Sequence, residues 1–76
     1  MRAISPQLLE RAYGDPNKKH VFLFVFSLDD MCIDTVVYAN TDKQACTMAV
    51  KAIAEEQDIT LAYARELTED GASFQL

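Results

Sequence analysis

The sequence has few of the residues from which small catalytic and metal sites are usually built. Its only glycines, Gly14 and Gly71, cannot form a glycine-rich phosphate loop. The single histidine, His20, and the two cysteines, Cys32 and Cys46, fit no zinc or redox spacing. We therefore expect two reduced, largely buried thiols, and no metal, cofactor or catalytic residue. A nucleophilic pair of either cysteine with His20 is an alternative, although nothing in the sequence places a cysteine beside His20 or supplies a third group to orient the pair.

Long apolar runs are also absent. The longest covers residues 21–26, whereas a helix needs about 20 apolar residues to cross a bilayer. Residues 1–6 contain no apolar segment of the kind found in signal peptides. With 76 residues the chain has room for one domain, spanning 1–76. A core of this size is marginal, so association with a partner or a second copy is expected. We expect a cytoplasmic protein.

Basic residues are scarce after the first quarter of the chain. Residues 1–20 carry four bases and two acids, whereas residues 21–76 carry three bases and ten acids. The net charge of the whole chain is −5. An acidic body argues against direct binding to nucleic acid, which needs a basic face for phosphate contacts. It favours a basic protein partner, or a surface that only keeps the protein soluble.

What the chain does contain is a segment, His20–Leu28, that is apolar at both alternating sets of positions. Such a pattern predicts a strand covered on both faces. We predict a hairpin of strands from about His20 to Ser27 and from Met31 to Ala39, joined by Asp29-Asp30. Asp-Asp is not the strongest hairpin signal, so a longer loop is the alternative. If the loop has two residues, it sets these partners: Leu28 and Met31, Phe26 and Ile33, Phe24 and Thr35, Phe22 and Val37. Three phenylalanines then share one face of the sheet.

Helices are predicted on either side of the hairpin. A short one from Pro6 to Tyr13 has Ser5 as its N-cap. The main helix follows the capping box at Thr41 and runs to about Gln57, with an alanine-rich face suited to packing on the phenylalanines. A third strand is predicted over 60–67, and a further short one near 73–75 is possible. The expected fold is α+β, with the main helix on a mainly antiparallel sheet of order 2-1-3.

This topology is expected to gather six acids at one pole of the sheet, near the hairpin turn and the end of the main helix. We call them the acidic pole: Asp29, Asp30, Asp34, Glu55, Glu56 and Asp58. Carboxylates at a helix C-terminus are unfavourable by a few tenths to about 1 kcal/mol each. The functional interpretation is a docking surface for a basic groove of a protein partner. A solvated surface and a calcium site at the three aspartates of 29–34 are the alternatives, the second without EF-hand spacing.

The second sheet face is the other candidate interface. It is formed by apolar residues of both strands: Val21, Leu23, Val25, Val36 and Tyr38. Either the first helix covers this face or a second molecule does, because an exposed apolar patch marks an interface. A homodimer through this face is therefore the alternative to the acidic docking surface.

In size, acidity and the order of hairpin, helix and strand, the chain resembles the small proteins that phages make to disable host nucleic-acid enzymes, including anti-CRISPR proteins. The resemblance covers the whole chain and is architectural, without a residue motif. It implies a non-enzymatic inhibitor that docks on the nucleic-acid-binding surface of a host protein, in the host cytoplasm if it is phage-encoded. A structural or regulatory homodimer is the second hypothesis, and a small catalytic or metal-binding domain is the third.

Overall fold

The computed structural model of the chain describes residues 6–76. The elements along the chain are α1 (Pro6–Glu10), β1 (His20–Leu28), β2 (Met31–Ala39), α2 (Asp42–Gln57), α3 (Leu61–Asp70) and β3 (Ala72–Gln75). The three strands form one sheet of order β2-β1-β3, and both pairings are antiparallel. The α+β class and the 2-1-3 order with the apolar strand in the centre are confirmed.

The hairpin has the predicted register. Phe22 lies opposite Val37, and Leu28 lies opposite Met31. The loop has two residues, Asp29 and Asp30, with φ angles of 51° and 65°. Positive φ at both central positions is the mark of a type I′ turn, whose twist matches that of the flanking strands. The short loop therefore fixes which side chains share a face.

The segment predicted as a third strand is a helix. Residues 60–67 contribute most of α3, and the third strand of the sheet is instead β3, close to the short C-terminal strand that was the weaker prediction. The reason is local, because residues 61–67 contain no β-branched residue and consist mainly of good helix formers. Thr60 is the N-cap, and its hydroxyl accepts a hydrogen bond from the Tyr63 N–H at 3.1 Å. The chain thus returns to the sheet through a second helix.

The main helix begins and ends where the capping signals indicate. The Thr41 hydroxyl accepts a bond from the Gln44 N–H at 3.1 Å, and the Gln44 side chain accepts one from the Asn40 N–H at 2.8 Å. At the other end Asp58 takes a left-handed conformation, and its N–H bonds to the Ala54 carbonyl. This reversal directs the chain into α3, so that the two helices lie side by side on one face of the sheet.

The core lies between the phenylalanine face and the two helices, with α2 mainly over β2 and α3 mainly over β1. Phe22, Phe24 and Phe26 are at most 6% exposed. They pack with small and branched residues of the other elements: Val37, Ala39, Ala45, Ala49, Val50, Ile53 and Ala64. Alanines let α2 approach the sheet closely, as predicted. The cysteine prediction was wrong in one respect, because Cys32 and Cys46 are both exposed.

The segment before β1 covers the outer edge of β2. The Tyr13 N–H donates to the Val36 carbonyl at 2.9 Å, and the Tyr38 N–H donates to the Tyr13 carbonyl at 2.8 Å. Gly14 follows with a φ of +95°, and a Cβ there would lie 2.7 Å from the Tyr38 carbonyl oxygen. The predicted helix from Pro6 to Tyr13 stays a prediction. In the described residues α1 is a single helical turn, Tyr13 belongs to the strand bridge, and the cap Ser5 lies outside them.

Candidate protein-binding surface

The hairpin turn carries two of the acids of the acidic pole. Asp29 and Asp30 are exposed, and both take left-handed backbone conformations. A residue with a Cβ is unfavourable in the left-handed region, although aspartate and asparagine tolerate that region better than other such residues. The turn therefore presents two adjacent carboxylates to solvent at the tip of the β1–β2 hairpin.

The end of α2 carries three more. Glu55, Glu56 and Asp58 are exposed, and the last turn of α2 contains no basic residue. The carbonyl ends of a helix carry a partial negative charge, so these carboxylates are unfavourably placed for the helix itself. A cation brought by a partner would relieve that repulsion.

Glu56 differs from the other acids because it is bound within the chain. Its carboxylate accepts a hydrogen bond from the Tyr13 hydroxyl at 2.9 Å and pairs with the Arg11 guanidinium at 3.2 Å. The bond to the Glu56 carboxylate, followed by burial and by the charges of Glu56 and Glu55, raises the pKa of Tyr13. Glu56 thus attaches the segment before β1 to the end of α2.

The six acids of the acidic pole come from three parts of the fold: the turn, the end of α2 and strand β2. Tyr13 bridges Val37, which is six residues along β2 from Met31 at the turn, and six residues of strand span about 20 Å. Tyr13 therefore joins the end of α2 to β2 at a point well away from Met31. Asp34 lies opposite Val25, on the sheet face that the helices do not cover. These acids of the turn, the helix end and β2 are called the acidic zone below.

The residues of the predicted second interface are already partly covered. Leu23 and Val36 are 7% and 2% exposed, whereas Val21, Val25 and Tyr38 are half-buried. Phe74 of β3 lies opposite Leu23 and is 39% exposed. Most of this face is thus withdrawn from solvent within one chain.

The residues considered for metal binding or nucleophilic chemistry lie apart. Within residues 6–76, no three histidine, cysteine or carboxylate side chains come together in a way that could hold a metal ion. Cys32 lies opposite Ser27 near the turn, whereas His20 is at the other end of β1. The His20 Nδ1 is 3.1 Å from Nε2 of the Gln75 side chain. No cysteine–histidine pair is formed by Cys32.

Several contributing residues were missed by sequence reasoning. Arg11 and Tyr13 reach Glu56 from more than 40 positions away, and no local signal announces such a contact. The acids of α3, which are Glu66, Glu69 and Asp70, lie outside the acidic pole, and their helix was missed because the segment was assigned to a strand or a turn. The helix-forming composition of residues 61–67 was the signal that could have placed them on α3.

Comparison with protein-family models, curated proteins and solved structures gives no match for this chain. In the part of the chain that the structure describes, no helix has both the length and the apolar character needed to cross a membrane.

Proposed function

We propose that this protein is a non-enzymatic, protein-binding inhibitor that docks its acidic zone on a basic, nucleic-acid-binding surface of a partner. It would block that surface by steric exclusion and by electrostatic competition with phosphates. We propose that the protein acts in the cytoplasm. Its architectural resemblance to phage proteins that act on host defence enzymes, such as CRISPR effectors, supports a function of that kind.

The observation that carries the proposal is that the carboxylates are exposed and nearly all unpaired in the described residues. All twelve are exposed, and within residues 6–76 only Glu56 takes part in an ion pair. Among the residues that the structure describes, the other eleven acidic side chains form no ion pair, and their charge faces solvent. Complementary charge on a partner speeds association and selects against wrong partners.

The test compares two variants with the same net charge. The first, the zone variant, carries Asp29→Asn, Asp30→Asn, Glu55→Gln and Asp58→Asn. The second, the matched control, neutralises four acids outside the zone: Glu10→Gln, Asp15→Asn, Glu66→Gln and Asp70→Asn. Each changes the net charge from −5 to −1. Glu56 and Asp34 are left unchanged because the first is bound within the chain and the second lies on the other sheet face.

Wild type and both variants are immobilised and used to capture proteins from a bacterial lysate. We expect wild type and the control to retain the same nucleic-acid-binding protein, displaced by added nucleic acid. The zone variant should bind it at least about tenfold more weakly, because charge pairs at an interface are lost. Equal retention by the zone variant would contradict the proposal, as would a captured protein that nucleic acid does not displace.

A homodimer through the second sheet face is the competing proposal, favoured by the exposed ring of Phe74 beside Leu23. The low exposure of Leu23 and Val36 weakens it, because little apolar area remains to be buried. Sedimentation of the purified chain distinguishes the two, since a strict monomer at high concentration excludes the dimer.

A further inference from the structure

A groove opens on the helix-covered side of the sheet, beside β3 and away from the acidic zone. Its volume is about 510 Å³. Phe22 and Phe24 form part of its lining, Ser73 and Gln75 contribute from β3, and Asp42 and Glu69 contribute from the two helices. It lies where the start of α2 and the end of α3 leave a corner of the sheet.

The strand that borders this groove has an unpaired outer edge. The Leu76 N–H donates to the Val21 carbonyl at 2.8 Å, and hydrogen-bonded pairs alternate along an antiparallel ladder. The main-chain groups of Ser73 and Gln75 therefore point away from β1. Within residues 6–76 no other segment pairs with them. The opposite edge of the sheet, in contrast, is covered by Tyr13.

The charge of the groove selects the kind of segment that fits there. Asp42 and Glu69 are exposed and take part in no ion pair within the described chain. Glu69 stands in the last turn of α3, which contains no basic residue, so the helix dipole disfavours its charge. A second copy of this chain would bring the same carboxylates against them. A cationic side chain of a partner would pair with both carboxylates.

We propose that β3 and this groove bind an extended, basic segment of a protein partner by strand addition. The segment pairs its main chain with Ser73 and Gln75. Because side chains alternate across a strand, one lysine or arginine of the segment then enters the groove and pairs with Asp42 and Glu69. Main-chain pairing supplies affinity and the groove supplies the preference for a cation. This surface is separate from the acidic zone, so either proposal can fail alone.

The test is an NMR titration of the isotope-labelled protein at low salt with a capped hexapeptide of three Lys-Thr repeats. We expect the amide signals of Ser73, Gln75 and Asp42 to shift. Two further peptides serve as controls: one of Glu-Thr repeats, and one of Lys-Thr repeats with N-methyl groups on one edge. Both should bind at least about tenfold more weakly, the first through charge and the second through lost main-chain pairing.

Two protein variants locate the contact. Asp42→Asn with Glu69→Gln should weaken the Lys-Thr peptide at least about tenfold. The matched pair Glu55→Gln with Asp58→Asn makes the same charge change at the other end of α2, and it should leave the affinity within about twofold. Absent shifts at β3 with millimolar peptide would overturn the proposal. So would equal binding of the Glu-Thr or N-methylated peptide, or equal weakening by the two variant pairs.

Discussion

At the scale of single residues, aspartate occupies three left-handed positions, at two of which the backbone favours glycine or asparagine. Asp29, Asp30 and Asp58 have φ angles of 51°, 65° and 55°. Aspartate and asparagine are common at the first central position of a type I′ turn, whereas glycine is usual at the second, and glycine or asparagine at a left-handed helix end. Asp30 and Asp58 therefore add negative charge without a local conformational gain. This supports the view that the carboxylates serve a partner.

Tyr13 provides a prediction about pH. Its pKa is raised above the ordinary value of 10.0, chiefly by the hydrogen bond to the Glu56 carboxylate. Because the folded pKa lies above the unfolded one, this contact contributes stability below about pH 10. That contribution is lost as the pH rises through the folded pKa. Glu56→Gln should therefore lower the pKa of Tyr13, as measured by NMR titration of its ring carbon.

The matched control for this prediction is Glu55→Gln, which removes the same charge from the neighbouring position. Glu55 acts on Tyr13 only through its charge, so its removal should lower the pKa of Tyr13 by less. Equal effects of the two substitutions would show that the hydrogen bond is not the main cause.

At the scale of elements, the hairpin and the main helix were predictable because their signals are local. The apolar run from His20 to Leu28 predicts the central strand, the two-residue Asp-Asp loop determines the register, and the capping box at Thr41 determines where α2 begins. The segment after α2 was not predicted correctly. Residues 60–67 carry apolar residues in a short stretch, and periodicity over so few positions does not separate a strand from a helix.

The passage from α3 to β3 depends on Gly71. A Cβ at this position would lie 2.3 Å from the Val25 carbonyl oxygen and 3.1 Å from the Phe26 Cβ. Gly71→Ala must therefore move β3 away from β1, and we expect it to lower the free energy of unfolding by about 1–3 kcal/mol. Urea denaturation measures the loss, and hydrogen exchange should show the Leu76 amide opening first.

Ser73→Ala is the control for Gly71→Ala, because it changes an exposed side chain of the same strand and adds no atom to the contact. It should change the stability by less than about 0.5 kcal/mol. Wild-type stability of Gly71→Ala would mean that β3 is not held against β1 as described.

At the scale of the whole molecule, the charge of the candidate site was predictable from the sequence, whereas the contact between the end of α2 and the segment before β1 was not. The composition shows an acidic body, and the predicted topology puts the turn and the end of α2 at the same end of the sheet. The route of α2 across the sheet decides the rest, and it depends on contacts such as Tyr13 with Glu56, which are distant in sequence. The outcome is an acidic zone with a single ion pair within residues 6–76, and a separate acidic groove beside β3.

The central claim is that the acids of the turn and the helix end serve a partner and do not stabilise the fold. The measurement that tests it most directly is urea unfolding, at low salt, of wild type and the zone variant with Asp29→Asn, Asp30→Asn, Glu55→Gln and Asp58→Asn. The variant should be more stable by about 1 kcal/mol, because asparagine suits left-handed positions and repulsion at the helix end is removed. A variant less stable than wild type by about 1 kcal/mol or more would show that these carboxylates hold the fold together, and would contradict the claim.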